Sequence, residues 1–133
     1  GAMLLLSCDV KIANEQKGFV FVPGIDLGLT YSPGMMALME AKLPFAIRHD
    51  FIVFGNRYTG TQLVSHGVVS EAVAPGEVMP TSVARAVALR PKTKNPRTMG
   101  RIKETLYHVA IAALECEPDD LLVASIGVTS SMG

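Results

Sequence analysis

The chain has 133 residues, 49% of them apolar and 18% charged, which is one domain's worth of sequence with a real core. Its twelve basic and twelve acidic residues cancel, so nothing in the charge favours a nucleic-acid backbone or an anionic membrane surface as partner. No apolar run reaches the ~18–20 residues that span a bilayer, and Cys8 and Cys116 lie outside any CxxC or Cys/His spacing, so they read as buried, reduced thiols of an intracellular protein rather than zinc ligands.

Gly1-Ala2-Met3 has the look of a cleaved-tag remnant and is set aside from the fold. Leu4 to Cys8 is an apolar run without a polar face, either the buried end of a helix or a core strand. Asp9 to Ala13 alternates polar and apolar and predicts a strand, followed by a turn cluster over Asn14 to Gly18. Phe19-Val20-Phe21-Val22 is aromatic and β-branched, a second strand that Pro23 ends. Ser32-Pro33-Gly34 opens a helix, with Ser32 as N-cap and Pro33 at the first position. Met35, Met36, Leu38, Met39 and Leu43 line that helix. The methionines read as core filler, with an acyl-chain lining as the alternative.

Pro44 interrupts, and a second helix carries Phe45, Ile47, Phe51, Ile52 and Phe54 up to Gly55. Thr59 caps a short helix ending at Gly67, and Val68 to Val73 alternates into a strand. A helix is expected from Thr81 to Leu89, then a hydrophilic linker from Arg90 to Asn95. The basic cluster Arg90 to Arg101 reads as solvated, with a phosphate-contacting patch as the alternative. A single long helix is expected from the Asn95 cap and Pro96, with Ile102, Leu106, Val109 and Ala113 at helical spacing. Residues 116–133 form a tail whose apolar stretch, Leu121 to Val128, is either a packed strand or a loosely held end. His49, His66 and His108 stand in no metal-ligand spacing and read as structural.

Several pieces, taken in order, resemble the C-terminal half of the crotonase (enoyl-CoA hydratase/isomerase) superfamily. They are Leu4-Leu-Leu-Ser-Cys-Asp9, Ile12-Ala13-Asn14-Glu15 and Ile25-Asp26-Leu27-Gly28-Leu29. Gly55-Asn-Arg-Tyr-Thr59 ahead of His66-Gly67-Val68-Val69, and Arg101-Ile-Lys-Glu-Thr-Leu-Tyr107, complete the set. The resemblance covers residues 4–115, and the Ala37 to Leu43 and Lys103 to Tyr107 helices look most like the Δ3,Δ2-enoyl-CoA isomerase branch. It implies an α/β, crotonase-like fold of short strands followed by helices, of which residues 4–115 are a partial domain. It also implies an acyl-CoA thioester substrate, no covalently bound cofactor, and trimer-based homo-oligomers. The compartment is intracellular: mitochondrial, peroxisomal or cytoplasmic.

Members of that family hold an enolate in an oxyanion hole, one donor of which sits at a helix N-terminus, where N–H groups and the dipole favour negative charge. A carboxylate exchanges the proton. The resemblance places the helical donor in the turn before Leu4 and the carboxylate in a Pro-Glu-x-x-x-Gly stretch. In this chain the stretch reads Pro23-Gly24-Ile25-Asp26-Leu27-Gly28, and glycine cannot exchange protons. Asp26 is the nearest carboxylate, and on a strand it would share a side with Gly24. It is the candidate catalytic residue, with a local capping role as the alternative. Pro23, Gly24, Leu27 and Ser32 are the candidate substrate-binding positions; Ser32 lies where a related dienoyl isomerase carries a second carboxylate, with N-capping as its alternative. The activity implied is enoyl-CoA isomerisation or hydration. The alternative is a non-catalytic protein of this fold that binds acyl-CoA or serves as an oligomeric scaffold.

Overall fold

Capping chemistry within four-residue windows starts three of the helices, and the elements follow from there. The computed structural model describes residues 1–116; the tail expected at 121–128 lies outside them. Along the chain come α1 (Ala2–Ser7), β1 (Ile12–Asn14), α2 (Gly24–Leu27), α3 (Pro33–Lys42), α4 (Phe45–Ile52) and α5 (Gly60–Ser65). Then follow β2 (Glu71–Val73), α6 (Val78–Leu89), α7 (Pro96–Leu106) and α8 (His108–Glu115). Ser32 Oγ accepts the Met35 N–H at 3.2 Å at the start of α3. Thr59 and Gln62 form a reciprocal capping box on α5, with Thr59 N–H donating to Gln62 Oε1 at 2.9 Å. Asn95 Oδ1 accepts the Thr98 N–H at 3.1 Å on α7. Each such cap contributes about 1 kcal/mol.

The strands are shorter than their sequence patterns predict. β1 and β2 pair in parallel, Ile12 to Glu71, Ala13 to Ala72 and Asn14 to Val73, with Glu15 N–H to Val73 O and Ser70 N–H to Lys11 O, both 2.9 Å, closing the ends. Asp9 and Val10 stay outside, exposed, because Asp9 is drawn to Lys103 at 2.8 Å. Val68 and Val69 are buried, but their N–H groups go to Leu63 O at the end of α5, so they cannot join the ladder. The strand expected at Phe19–Val22 reduces to one antiparallel bridge, Val20 with Tyr58. Asn14 Oδ1 accepts the N–H groups of Gln16 and Lys17 and makes the expected turn.

Phe51, Leu6, Met39 and Leu63 are the largest fully buried side chains. Each removes enough apolar surface from water to contribute about 1.5–3 kcal/mol. They bring α1, α3, α4 and α5 into one core, in which the Phe51 and Tyr58 rings stack at 5.7 Å. Met39 is the core filler among the methionines, while Met35 and Met36 are half-buried. Residues 1–3 take part in the packing: Gly1 O accepts the Leu5 N–H at 3.0 Å, and Ala2 and Met3 pack against the core. One expectation is corrected: Cys8 and Cys116, each directly after a helix end, are exposed rather than buried.

The long C-terminal helix is also corrected: it breaks at Tyr107, whose φ of −108° and ψ of 18° leave the helical range. The Tyr107 ring is held from α3, where the Lys42 ammonium lies 4.2 Å from its centroid and donates to its hydroxyl at 3.1 Å. Turning there lets α8 pack chiefly against α3. Before the break, Gly100 sits inside α7 with nothing within 4 Å of a Cβ built on it. Gly100→Ala is therefore expected to stabilise the protein by about 0.5–1 kcal/mol, read as a higher denaturation midpoint at unchanged slope.

Candidate functional site

Residues 22–32 leave the core, make one helical turn and return to it. Val22 is 3% exposed. Pro23 O accepts the Leu27 N–H at 3.1 Å, Gly24 O accepts the Leu29 N–H at 2.9 Å, and Gly28, at φ 65°, ends α2. The loop after α4 braces this turn. Gly55, at φ 63°, brings its backbone so near that a Cβ would stand 3.1 Å from Val22 O and 3.3 Å from Ile25 Cγ2. Ile25, Leu27 and Leu29 stand exposed on the outside of the turn, leaving an apolar lip.

Gly24 is buried at the start of that turn, and the space beside it is taken. The Tyr31 hydroxyl accepts the Gly24 N–H at 2.7 Å. A Cβ on residue 24 would fall 2.5 Å from that oxygen, 2.7 Å from Tyr31 Cζ and 2.8 Å from the Leu29 carbonyl oxygen. Sequence reasoning missed Tyr31; the available signal was a phenol one residue ahead of the Ser32 cap, at the foot of the helix that follows the motif.

Asp26 is exposed. Because residues 24–27 form a helical turn rather than a strand, it projects about 200° away from Gly24, so the same-side expectation does not hold. Leu27 is exposed on α2 and Pro23 is half-buried next to Gly24. Ser32 caps α3. The structure thus gathers Pro23, Gly24 and Tyr31, keeps Leu27 on the exposed lip of the same turn, and sends Asp26 and Ser32 elsewhere.

A hollow of about 380 Å3 lies between the first turn of α1 and the extended segment leading to the site, lined by Gly1, Ala2, Leu5, Phe19, Val20 and Phe21. The Arg57 guanidinium lies 4.6 Å from the Phe21 ring centroid, on the same segment. A second hollow of about 350 Å3 runs between α3, α7 and α8, with Leu38, Ala41, Ile111 and Leu114 as its apolar floor and Lys42, Lys103 and Tyr107 on its rim. There the hydrogen bond to Asp9 raises the Lys103 ammonium above its usual range. Burial, then the neighbouring Lys42 charge, lowers Lys11. Burial, then Asp50, pushes the Tyr58 phenol up. His66 meets the Tyr58 ring edge-on at 5.5 Å, His49 meets Phe54 at 4.8 Å, and His108 Nδ1 lies 3.0 Å from Thr105 O. Among the described residues no three His, Cys, Asp or Glu side chains gather as a metal site.

The model of the family described as enoyl-CoA hydratase/isomerase matches residues 1–117. Enoyl-CoA delta isomerase 2, peroxisomal, of Arabidopsis thaliana is 27% identical over 110 residues, 80% of this chain and 46% of its own length. Enoyl-CoA hydratase domain-containing protein 3, mitochondrial, of Homo sapiens is 28% identical over 90 residues, 66% of this chain and 29% of its own. The chain thus spans less than half the length of these relatives. A solved enoyl-CoA hydratase from Mycobacterium marinum superimposes with a TM-score of 0.77 at 20% identity, over 94% of this chain and 54% of that one. This likeness in fold bears out the α/β, crotonase-like architecture, here a mostly helical part of it with a two-stranded parallel sheet.

Proposed function

The chain belongs to the enoyl-CoA hydratase/isomerase family, and from that premise we propose that it serves a protein that acts on fatty acyl-CoA thioesters. The reaction is isomerase- or hydratase-like and proceeds through an enolate held in an oxyanion hole. The family match from end to end of the described residues carries this reading. The hollow beside the Phe19–Phe21 segment supports it, because ligand sites are concave and mostly apolar. The exposed lip of Ile25, Leu27 and Leu29 suits an acyl chain. The coenzyme A ester enters as substrate, and no covalent cofactor is involved.

One observation favours a second reading, acyl-CoA binding or scaffolding without turnover: at Gly24, where the resemblance puts the family's carboxylate, a phenol fills the adjoining space. Titration calorimetry of the native protein with 3-hexenoyl-CoA, alongside a spectrophotometric assay for the 2-enoyl product, separates the two. Saturation between about 1 μM and 1 mM with turnover is the expected result. Saturation without turnover selects the second reading, and no heat up to 1 mM rejects both.

The exposed apolar residues Met79, Val83 and Val87 on α6, with Ile102 and Leu106 on α7 and Val109 on α8, support a trimer-based homo-oligomer. No helix among the described residues is long and apolar enough to cross a membrane. The plant and human relatives, named as peroxisomal and mitochondrial, support an intracellular compartment of fatty-acid oxidation.

A further inference from the structure

We propose that the Tyr31 hydroxyl is the proton-exchanging group of this site, standing where the resembled family's carboxylate would leave residue 24; the inference rests on the acyl-CoA reading above. The phenol oxygen comes from seven residues further along the chain. It ends 2.7 Å from Gly24 N and 2.5 Å from the point a Cβ would occupy. A polar, proton-bearing atom therefore occupies the start of the path that a side chain at position 24 would take.

The hydrogen-bond directions suit the role. A phenol has one O–H donor and two lone pairs. Accepting the Gly24 N–H fixes the oxygen in place and leaves its own proton and a second lone pair for a ligand. The ring is held as well: Tyr31 packs against the core cluster. On one side it is bracketed by the Gly24–Leu29 turn and on the other by the Ser32 cap. The other candidate groups are directed elsewhere. Asp26 is exposed on the far side of α2, and Ser32 Oγ accepts the Met35 N–H.

In the ionised form the Tyr31 oxygen takes a proton from the α-carbon of a 3-enoyl thioester. The C–H bond breaks, an O–H bond forms, and the electron pair spreads onto the thioester oxygen as a dienolate. The same O–H then returns its proton to the γ-carbon, the pair flows back, and the double bond settles at the 2-position with the phenolate regenerated. No oxidant, reductant or co-reactant is consumed.

The test uses the native full-length protein and 3-hexenoyl-CoA. Tyr31→Phe keeps the ring and removes one oxygen. It is expected to lower kcat at least about 100-fold while leaving KM and the calorimetric Kd within about threefold, and to abolish solvent deuterium uptake at the α-carbon. Fluorotyrosine at position 31 preserves the packing while altering the electronics of the hydroxyl, and is expected to change kcat at unchanged KM, which keeps the test decisive if Tyr31→Phe folds poorly. Undiminished turnover in Tyr31→Phe, or an unchanged kcat in the fluorotyrosine protein, overturns the assignment. Binding by the wild type without turnover or exchange also overturns it and leaves the acyl-CoA reading standing. Absence of any CoA-ester binding removes that reading and this assignment together.

Discussion

Gly60→Ala is expected to destabilise the protein by about 2–3 kcal/mol, a fall of roughly 10 °C in Tm for a chain of this size. Gly60 is the first residue of α5, directly after the Thr59 cap. A Cβ there would run into the Asn14 carbonyl oxygen, stand 2.9 Å from Ala13 Cβ and lie 3.2 Å from Asn14 C. Neither neighbour can yield cheaply. Ala13 and Asn14 are the middle and end of β1, paired with β2, and Asn14 Oδ1 already holds the turn at Gln16 and Lys17. On the other side, α5 is pinned by fully buried Leu63 and by its capping box. Alanine's better helix propensity returns at most about 1 kcal/mol, and less at a first-turn position, so the clash wins. Gly76→Ala is the control: nothing lies within 4 Å of its Cβ, and its midpoint is expected to move by less than about 0.5 kcal/mol. A Gly60→Ala protein melting with the wild type in urea would mean that α5 can slide off β1, and that this contact does not set the register between them.

What the sequence disclosed, and what it hid, divides by the range of the interaction. Ser32 with Pro33, Thr59 with Gln62, and Asn95 with Pro96 act within four residues, so their letters alone place the starts of α3, α5 and α7. The strands depend on partners far along the chain. Phe19–Val22 has strand composition, yet it meets only Tyr58 at one bridge, and no local pattern records that shortage. The break at Tyr107 lacks the glycine or proline that would announce it, because its cause is Lys42 on another helix. The ion pair of Asp9 with Lys103, 94 residues apart, shortens β1 for the same reason. The candidate site follows this division. The motif at 23–28 could be located by its spacing, and the glycine at position 24, where the resemblance implies a carboxylate, is in the letters themselves. The helical turn that sends Asp26 away and the phenol that arrives from Tyr31 are consequences of packing, which spacing does not encode.

Gly24→Glu is the substitution that the resemblance in the sequence invites, and it is expected to fail. It should produce no gain in turnover of 3-hexenoyl-CoA and cost about 2–4 kcal/mol, combining overpacking of about 1–3 kcal/mol with about 1 kcal/mol for the lost bond to Tyr31. Two obstacles of different kinds meet the new Cβ. The Tyr31 hydroxyl, 2.5 Å away, is the tip of a side chain and can swing aside. The Leu29 carbonyl oxygen, 2.8 Å away, is backbone. It belongs to the turn closed by the Leu29 N–H on Gly24 O at 2.9 Å and by Gly28 at φ 65°. It can move only if α2 opens and Gly55 loses its seat against Val22 and Ile25. Because the obstruction begins at Cβ, Gly24→Ala is expected to fall within about 0.5 kcal/mol of Gly24→Glu, and adding Tyr31→Ala to Gly24→Glu should restore only part of the loss. Urea midpoints of the three variants separate these contributions. Turnover gained by Gly24→Glu at wild-type stability would show that a carboxylate can enter where the phenol now stands. In that case the turn at 24–29 would be an accommodating loop, and Tyr31 a bystander to the chemistry rather than its replacement.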